Sequence, residues 1–145
     1  MKVLMIYIAL FVGIFAGTAY AEDTTVEMLN KRDDGAKMVY SEDITRVEAG
    51  DTVTWVPTSK GHNVEFIAGP EGWEAPKKSK LGKEYAYTFD VPGVYLYQCT
   101  PHKSMGMIAL VVVSEGGEAP LNDVSKAKVK GKSKKKLKEL LEGLE

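Results

Sequence analysis

The sequence contains very few side chains that bind transition metals strongly, with one cysteine and two histidines among 145 residues. A single cysteine cannot form a disulfide within the chain, which excludes a disulfide-stabilised scaffold. Basic residues are not in excess either, since 19 Lys and Arg stand against 20 Asp and Glu. This balance argues against a nucleic-acid-binding protein, which needs positive charge to bind phosphates. The cysteine and one of the two histidines lie in one stretch, CTPHKSMGM, from Cys99 to Met107.

Residues 1–21 have the pattern of an export signal. Lys2 supplies a positive start, Val3–Phe15 is almost wholly apolar, and Ala19-Tyr20-Ala21 is an A-x-A cleavage site. A membrane anchor is the alternative, but the apolar run is short for a span of about 20 residues. We therefore expect cleavage before Glu22. Because an exported free thiol is open to oxidation, we also expect Cys99 to be protected by burial or by a metal.

Residues 22–113 show the pattern of short strands separated by turns. Thr52–Val56 and Tyr85–Phe89 alternate apolar with small or polar residues, whereas Val94–Cys99 and Met107–Val113 are almost continuously apolar, which indicates central strands. Two shorter strands are predicted at Val26–Met28 and Asn63–Ile67. This spacing of strands, with Gly/Pro turns and no long helical pattern, favours an antiparallel all-β sandwich or barrel.

The last 32 residues, 114–145, predict a linker and two helices. Glu115–Glu118 is the linker, and Pro120–Val129 is a candidate short helix. Ser133–Glu142 is a stronger candidate, because leucines recur at the i, i+3, i+4, i+7 spacing of one helix face. A Lys-rich helix could also lie on a membrane surface. We expect both helices to pack on the sandwich instead, as part of the same domain.

The residues that can bind a metal form one constellation. Cys99 precedes His102 by three residues at the end of a predicted strand, Met107 follows five residues later, and His62 lies at the start of another strand. Each of these residues alone has an ordinary explanation in the core or in a loop. Together, two imidazoles, one thiolate and a weak thioether are the ligand set of a blue-copper electron-transfer site.

Three alternatives use the same residues. A Cys/His hydrolase needs an orienting third group and an oxyanion hole, and no Asn or Asp is obviously placed to orient the histidine. Structural zinc usually has four strong ligands, and only three are present here. A copper chaperone or storage protein would use exposed Met-rich or His-rich sites, whereas this chain has six methionines. The residues therefore favour the blue-copper interpretation.

Four stretches resemble the pseudoazurin family of blue-copper cupredoxins. They are VEMLNK from Val26, AGDTVTWVPTSKGHNVEF from Ala49, PGVYLYQCTPHKSMGMIALVVV from Pro92, and the helical C-terminus. The Cys-x2-His-x4-Met spacing is shared with plastocyanin, whereas the helical tail is not. The resemblance implies an all-β Greek-key sandwich of about eight strands, two C-terminal α-helices packed on it, and one type 1 copper ion near one end.

The resemblance also assigns the copper ligands. It makes His62, Cys99 and His102 the strong ligands and Met107 the axial one. Met105 would instead match the tighter Cys-x2-His-x2-Met loop of amicyanin, so the choice between the two methionines rests on the family spacing.

Two further residues receive supporting roles from the resemblance. Asn63 would tie the two ligand loops together, with its backbone N–H donating to the sulfur of Cys99. Met38 matches a family position near the second histidine ligand.

The implied function is electron transfer between proteins, not enzymatic catalysis. The ring edge of His102, in an apolar patch with Pro101 and Met105, is the predicted point of electron entry and exit. Five lysines are predicted to surround this patch and to attract an acidic partner: Lys60, Lys77, Lys78, Lys80 and Lys103. Pseudoazurins act with copper nitrite reductase and c-type cytochromes, so the resemblance implies such transient partners for a periplasmic monomer with no stable membrane association.

Overall fold

The structure, a computed structural model, describes residues 23–144 as eight strands followed by one helix. The predicted export signal, residues 1–21, lies outside the described residues. In chain order the elements are β1 (Asp23–Lys31), β2 (Lys37–Tyr40), β3 (Ile44–Glu48), β4 (Thr52–Val56), β5 (Glu65–Ala68), β6 (Tyr85–Thr88), β7 (Gly93–Gln98), β8 (Ile108–Ser114) and α1 (Ser133–Glu142).

The strands form two mixed sheets of four strands each. The first sheet has the order β2-β1-β4-β6 and the second the order β3-β8-β7-β5. Neighbouring strands are antiparallel except β1 with β4 and β3 with β8, which are parallel. The predicted all-β sandwich of about eight strands is confirmed, but the purely antiparallel arrangement is wrong. Each parallel pair joins strands that are distant in the sequence, with strands of the other sheet between them along the chain.

All six strands that the residue patterns predict are present. β4 has the predicted bounds, whereas β1 is longer than the predicted Val26–Met28. β2 and β3, with the sequences KMVY and ITRVE, are not among the predicted strands. Both lie at the edges of their sheets.

Two apolar clusters lie on the two faces of the second sheet. One fills the space between the sheets and includes Trp55, Phe66 and Tyr97. The other lies between the outer face of β7 and β8 and the C-terminal segment, and it includes Leu137 and Leu140 of α1. Burying a leucine side chain contributes about 1.5–3 kcal/mol. Because both faces of β7 and β8 are covered, their sequences are continuously apolar and do not alternate.

Residues 120–129 are not helical, so the prediction of a first C-terminal helix at Pro120–Val129 is wrong. Oδ1 of Asn122 accepts a hydrogen bond from the Val94 N–H at 2.6 Å, and its Nδ2 donates to the Val94 carbonyl at 3.0 Å. Oδ1 of Asp123 accepts the N–H of Ser125 at 2.8 Å. Such Asn and Asp bonds to the backbone compete with helix formation. The segment is therefore hydrogen-bonded to β7 in an irregular conformation.

Helix α1 has the predicted bounds and is amphipathic. Its buried side contacts the sandwich, and its exposed side carries two i,i+4 ion pairs, Lys135–Glu139 and Lys138–Glu142. No helix within residues 23–144 is long and apolar enough to cross a bilayer.

Candidate metal centre

Three ligand-type side chains, those of His62, Cys99 and His102, place one donor atom each within 4.8 Å of the others. Nδ1 of His62 and Nδ1 of His102 are 3.2 Å apart, and Sγ of Cys99 lies 3.7 Å from the first and 3.4 Å from the second. Nitrogen and sulfur atoms that bind one ion at about 2.0–2.3 Å in a trigonal plane lie roughly 3.5–3.8 Å from one another. The donor triangle therefore fits a single metal ion.

The loop from Cys99 to Met107 is closed by its own backbone hydrogen bonds. The N–H of Cys99 donates to the Met107 carbonyl at 3.0 Å, and the N–H of His102 donates to the Cys99 carbonyl at 3.1 Å. Gly106 has φ +98°, a conformation that glycine adopts without steric cost. This tight turn places the ring of His102 beside the thiol of Cys99, the first residue of the loop.

Asn30 contacts the ring of His62 at Nε2, on the side opposite the donor triangle. Oδ1 of Asn30 lies 2.8 Å from Nε2 of His62. A carbonyl oxygen accepts hydrogen bonds only, so Nε2 carries the proton. Nδ1 therefore has a free lone pair, on the side of Sγ of Cys99 and Nδ1 of His102. Asn30 lies in the VEMLNK stretch, but the sequence analysis did not select it, because no spacing relates it to His62.

Asn63 bridges the loop that carries His62 and the loop that carries Cys99. Its Oδ1 accepts the N–H of Thr100 at 2.8 Å, and its Nδ2 donates to Oγ1 of Thr100 at 3.0 Å and to the Ser79 carbonyl at 3.2 Å. Asn63 is 2% exposed, so these bonds are shielded from water. The side chain thus joins the loop of His62 to the loop of Cys99 through Thr100.

Burial dominates the electrostatics of the thiol. It raises the pKa of Cys99, and hydrogen bonding from the backbone N–H groups of Asn63 and His102 opposes that effect only in part. Burial and the neighbouring His102 lower the pKa of His62. The site therefore favours a neutral thiol and a neutral imidazole, and a bound cation would replace the thiol proton. This environment is wrong for a Cys/His hydrolase, because the nucleophile is fully buried and not activated.

The structure separates the two candidate methionines. Met107 is fully buried in the core cluster that contains Cys99, whereas Met105 is 48% exposed. Met38 is partly buried against the same cluster, and it is the one non-glycine residue with positive φ, +51°, within residues 23–144. Met107 thus belongs to the same buried cluster as Cys99, and Met105 does not.

The surface around the ligand loop contains part of the predicted docking region. Pro101 is exposed and His102 is half-buried. Seven residues line a surface groove of about 380 Å³: Asn63, Lys78, Ser79, Lys80, Leu81, Thr100 and Pro101. The groove thus places Lys78 and Lys80 beside the ligand loop. Of the other predicted lysines, Lys60 and Lys77 are exposed and Lys103 is half-buried within the loop.

Comparison with known proteins agrees with this site. Residues 26–114 match the family model "Copper binding proteins, plastocyanin/azurin family". A pseudoazurin from Paracoccus pantotrophus is 44% identical over 126 residues, which cover 84% of this chain and 83% of the relative. A solved pseudoazurin structure from Sinorhizobium superposes with a TM-score of 0.75 at 42% identity and covers 85% of this chain and 96% of that one. A pseudoazurin structure from Methylobacterium extorquens gives 0.73 at 35% identity, with coverages of 86% and 100%.

The sandwich and its Cys/His₂ triangle define a cupredoxin, and the chain belongs to the plastocyanin/azurin family of copper-binding proteins. Within that family its similarity over most of its length is to the pseudoazurins, which confirms the resemblance seen in the sequence. Copper is its cofactor, and His62, Cys99 and His102 are positioned as the copper site. Cupredoxins are electron carriers and not enzymes, and this chain is a copper protein of that kind.

Proposed function

We propose that this protein is a periplasmic one-electron carrier that exchanges electrons with other redox proteins. The observation that supports the proposal best is the donor triangle, in which a buried thiol and two imidazole nitrogens face one point while His102 remains half-exposed. Copper bound there would supply reversible one-electron chemistry between Cu(I) and Cu(II).

Hydrogen bonds from residues outside the donor triangle hold the donors in place. Asn30 fixes the tautomer and orientation of His62, and Asn63 joins the two ligand loops through Thr100. Ligands that are already oriented move little when the charge of the site changes, which keeps electron exchange fast. Met107 is proposed as the axial thioether, because it is buried beside Cys99.

His102 is the proposed point of electron entry and exit. Its Nδ1 faces Cys99 and His62, so the opposite ring edge is directed away from them. Exposed apolar groups of Pro101 and Met105 flank it in the loop, and Leu81, 56% exposed, lies in the groove beside Pro101. A small apolar patch of this kind permits close contact without tight binding, which suits a transient partner.

The proposed partners are proteins with an acidic surface, of the class of copper nitrite reductase or c-type cytochromes. Lys78 and Lys80 lie in the groove beside the ligand loop, and Lys60, Lys77 and Lys103 complete the predicted set of lysines. Positive charges around a docking patch raise the association rate more than the affinity. Salt should therefore slow association, because it screens these charges.

The test is the rate of electron exchange between the reduced copper protein and an oxidised c-type cytochrome, followed at increasing salt. We expect the rate to fall steeply with salt, and the double variant Lys78→Glu/Lys80→Glu to be slower at low salt and nearly insensitive to salt. Lys126→Glu is the matched control, because Lys126 is an exposed lysine on the C-terminal segment. A wild-type rate that does not depend on salt, or equal effects of the groove and control variants, would contradict the lysine surface.

A further inference from the structure

The carboxylate of Glu65 is bonded by both residues that flank the copper ligand Cys99. Its Oε2 accepts a hydrogen bond from Nε2 of Gln98 at 2.8 Å and another from Oγ1 of Thr100 at 3.0 Å. Glu65 and Gln98 are also directly paired across β5 and β7. A single oxygen atom thus bonds to the side chains of the residues immediately before and immediately after Cys99.

Strand alternation explains why this carboxylate lies behind the site and not in it. Successive side chains of a strand point to opposite faces, so Gln98, the last residue of β7, points away from the core side that Tyr97 faces. Thr100 lies in the turn that follows β7, and its hydroxyl reaches the same carboxylate oxygen as Gln98. Cys99 belongs to the core between the sheets, and Glu65 meets its two neighbours on the other face. Glu65 therefore does not compete with the thiol for the metal.

Within residues 23–144, Glu65 has no Lys, Arg or His at ion-pair distance. Its two partners are a neutral amide and a neutral hydroxyl. Hydrogen bonds from neutral donors hold a carboxylate in place but do not cancel its charge. Gln98 is buried and Thr100 is half-buried, so the charge is only partly screened by water.

Glu65 also determines the direction of the hydrogen bonds that reach Asn63. A carboxylate only accepts, so the hydroxyl of Thr100 donates to it and keeps its lone pairs free to accept from Nδ2 of Asn63. Because Nδ2 of Asn63 donates to the Thr100 hydroxyl, Oδ1 of Asn63 is left to accept the Thr100 N–H, as observed. The chain of bonds therefore runs from Glu65 through Thr100 to Asn63, the neighbour of the copper ligand His62.

We propose that Glu65 is a positioning residue that sets the reduction potential of the copper site. Its fixed negative charge behind Cys99 favours the more positive, oxidised form of the site and therefore lowers the potential. Its bonds to Gln98 and Thr100 hold the thiol in one orientation. The inference rests on the proposed electron-carrier function, in which the potential determines the partners.

The variant Glu65→Gln separates charge from geometry. Both bonds end on one oxygen, so a glutamine that places its carbonyl there keeps both acceptor contacts and removes only the charge. We expect the visible spectrum to stay unchanged and the redox equilibrium with a one-electron reference couple to shift toward the reduced protein by roughly three- to tenfold, or about 30–60 mV. Glu65→Leu, which removes the acceptor as well, should also alter the blue absorption.

Glu74→Gln is the control, because it removes the same charge from an exposed residue of the loop 69–83. If Glu65→Gln shifts the potential no more than Glu74→Gln does, while its spectrum is that of the wild type, the inference is wrong. Failure of the proposed function would look different, since the wild type itself would then lack a reversible blue-copper signal. Glu65→Gln preserves the hydrogen bonds, so the test remains decisive even if Glu65→Leu does not fold.

Discussion

Oδ1 of Asn30 accepts a hydrogen bond from Nε2 of His62 across 2.8 Å. This contact joins the end of β1 to the loop that carries the first copper ligand, although the two residues are 32 positions apart in the sequence. Outer partners of metal-bound histidines fix the ring and its tautomer, and their loss weakens metal binding. The copper site is therefore supported by the first sheet as well as by the loops of the second.

Removal of the Asn30 contact should weaken copper binding. In Asn30→Leu the ring of His62 loses its acceptor, so we expect the affinity for copper to fall by roughly 10- to 100-fold, as measured by competition with a chelator of known affinity. Lys31→Gln, a change at the next and exposed position of β1, should leave the affinity unchanged. Equal affinities of the wild type and Asn30→Leu would show that His62 does not depend on this bond.

The two methionines of the ligand loop can be separated by the same substitution. Met107 is fully buried beside Cys99, and Met105 is 48% exposed. We expect Met107→Gln to change the visible spectrum and the reduction potential strongly, because an amide oxygen replaces the axial thioether. Met105→Gln should change both only slightly. A larger effect of Met105→Gln would overturn the assignment of Met107.

The C-terminal segment should stabilise the ligand loop through Gly131. The N–H of Lys132 donates to the Ser104 carbonyl at 2.9 Å, and a Cβ atom at Gly131 would lie only 2.4 Å from that same oxygen. Gly131→Ala therefore introduces a backbone clash in addition to the cost of positive φ, which is about 1–2 kcal/mol for a non-glycine residue.

Gly116→Ala measures the cost of positive φ alone. Gly116 has φ +62° against +55° for Gly131, and a Cβ there meets no atom within 4 Å. In denaturant unfolding we expect Gly131→Ala to lose at least about 1 kcal/mol more than Gly116→Ala. Equal losses of unfolding free energy would mean that the ligand loop adapts to the added methyl group at no cost, and that the C-terminal segment does not stabilise the loop.

The ion pairs of Asp43 should stabilise the folded protein at neutral pH, and this stabilisation should be lost in acid. It forms ion pairs with Lys136 of α1 at 2.5 Å and with Arg32 at 3.1 Å. Burial alone would raise the pKa of Asp43, but the hydrogen bonds from Lys136 and Arg32 outweigh it and lower this pKa below its ordinary value. Its charge therefore stabilises the folded state above about pH 4, and this contribution is lost as the pH falls through the lowered pKa.

Asp43→Asn tests this contribution directly. Because the side chain is about a third exposed, we expect a loss of only about 1 kcal/mol in the free energy of unfolding at pH 7, and a difference from the wild type that shrinks as the pH falls below about 4. Asp33→Asn, at an exposed position in the turn after β1, should have no comparable effect at any of these pH values. A difference that persists unchanged into acid would show that the loss is not electrostatic.

The sequence predicted correctly those strands and helices whose residue pattern alone indicates which side is buried. β4 and α1 have the predicted bounds, because strict alternation and a leucine stripe are local signals of burial on one side. The prediction of a helix at Pro120–Val129 was wrong because Asn122 bonds to Val94, a contact that joins residues 28 positions apart. The pattern of the segment contains no information about that partner.

The same distinction applies to the copper site. His62, Cys99 and His102 could be selected because the chain has so few residues of these types and because the motif spacing is short. Asn30 and Glu65 could not be selected, because both act through contacts with residues that are more than 30 positions away in the sequence. Asn63 was named from the resemblance, and its bonds to Thr100 give the physical reason for its position.

The most direct test of a blue-copper electron carrier is the visible spectrum of the purified protein, residues 22–145, during addition of Cu(II). We expect one equivalent of copper to produce an intense blue absorption that bleaches with a one-electron reductant and returns on reoxidation, and Cys99→Ser to abolish it. A colourless or merely pale complex, or a colour that does not return after one redox cycle, would contradict the account.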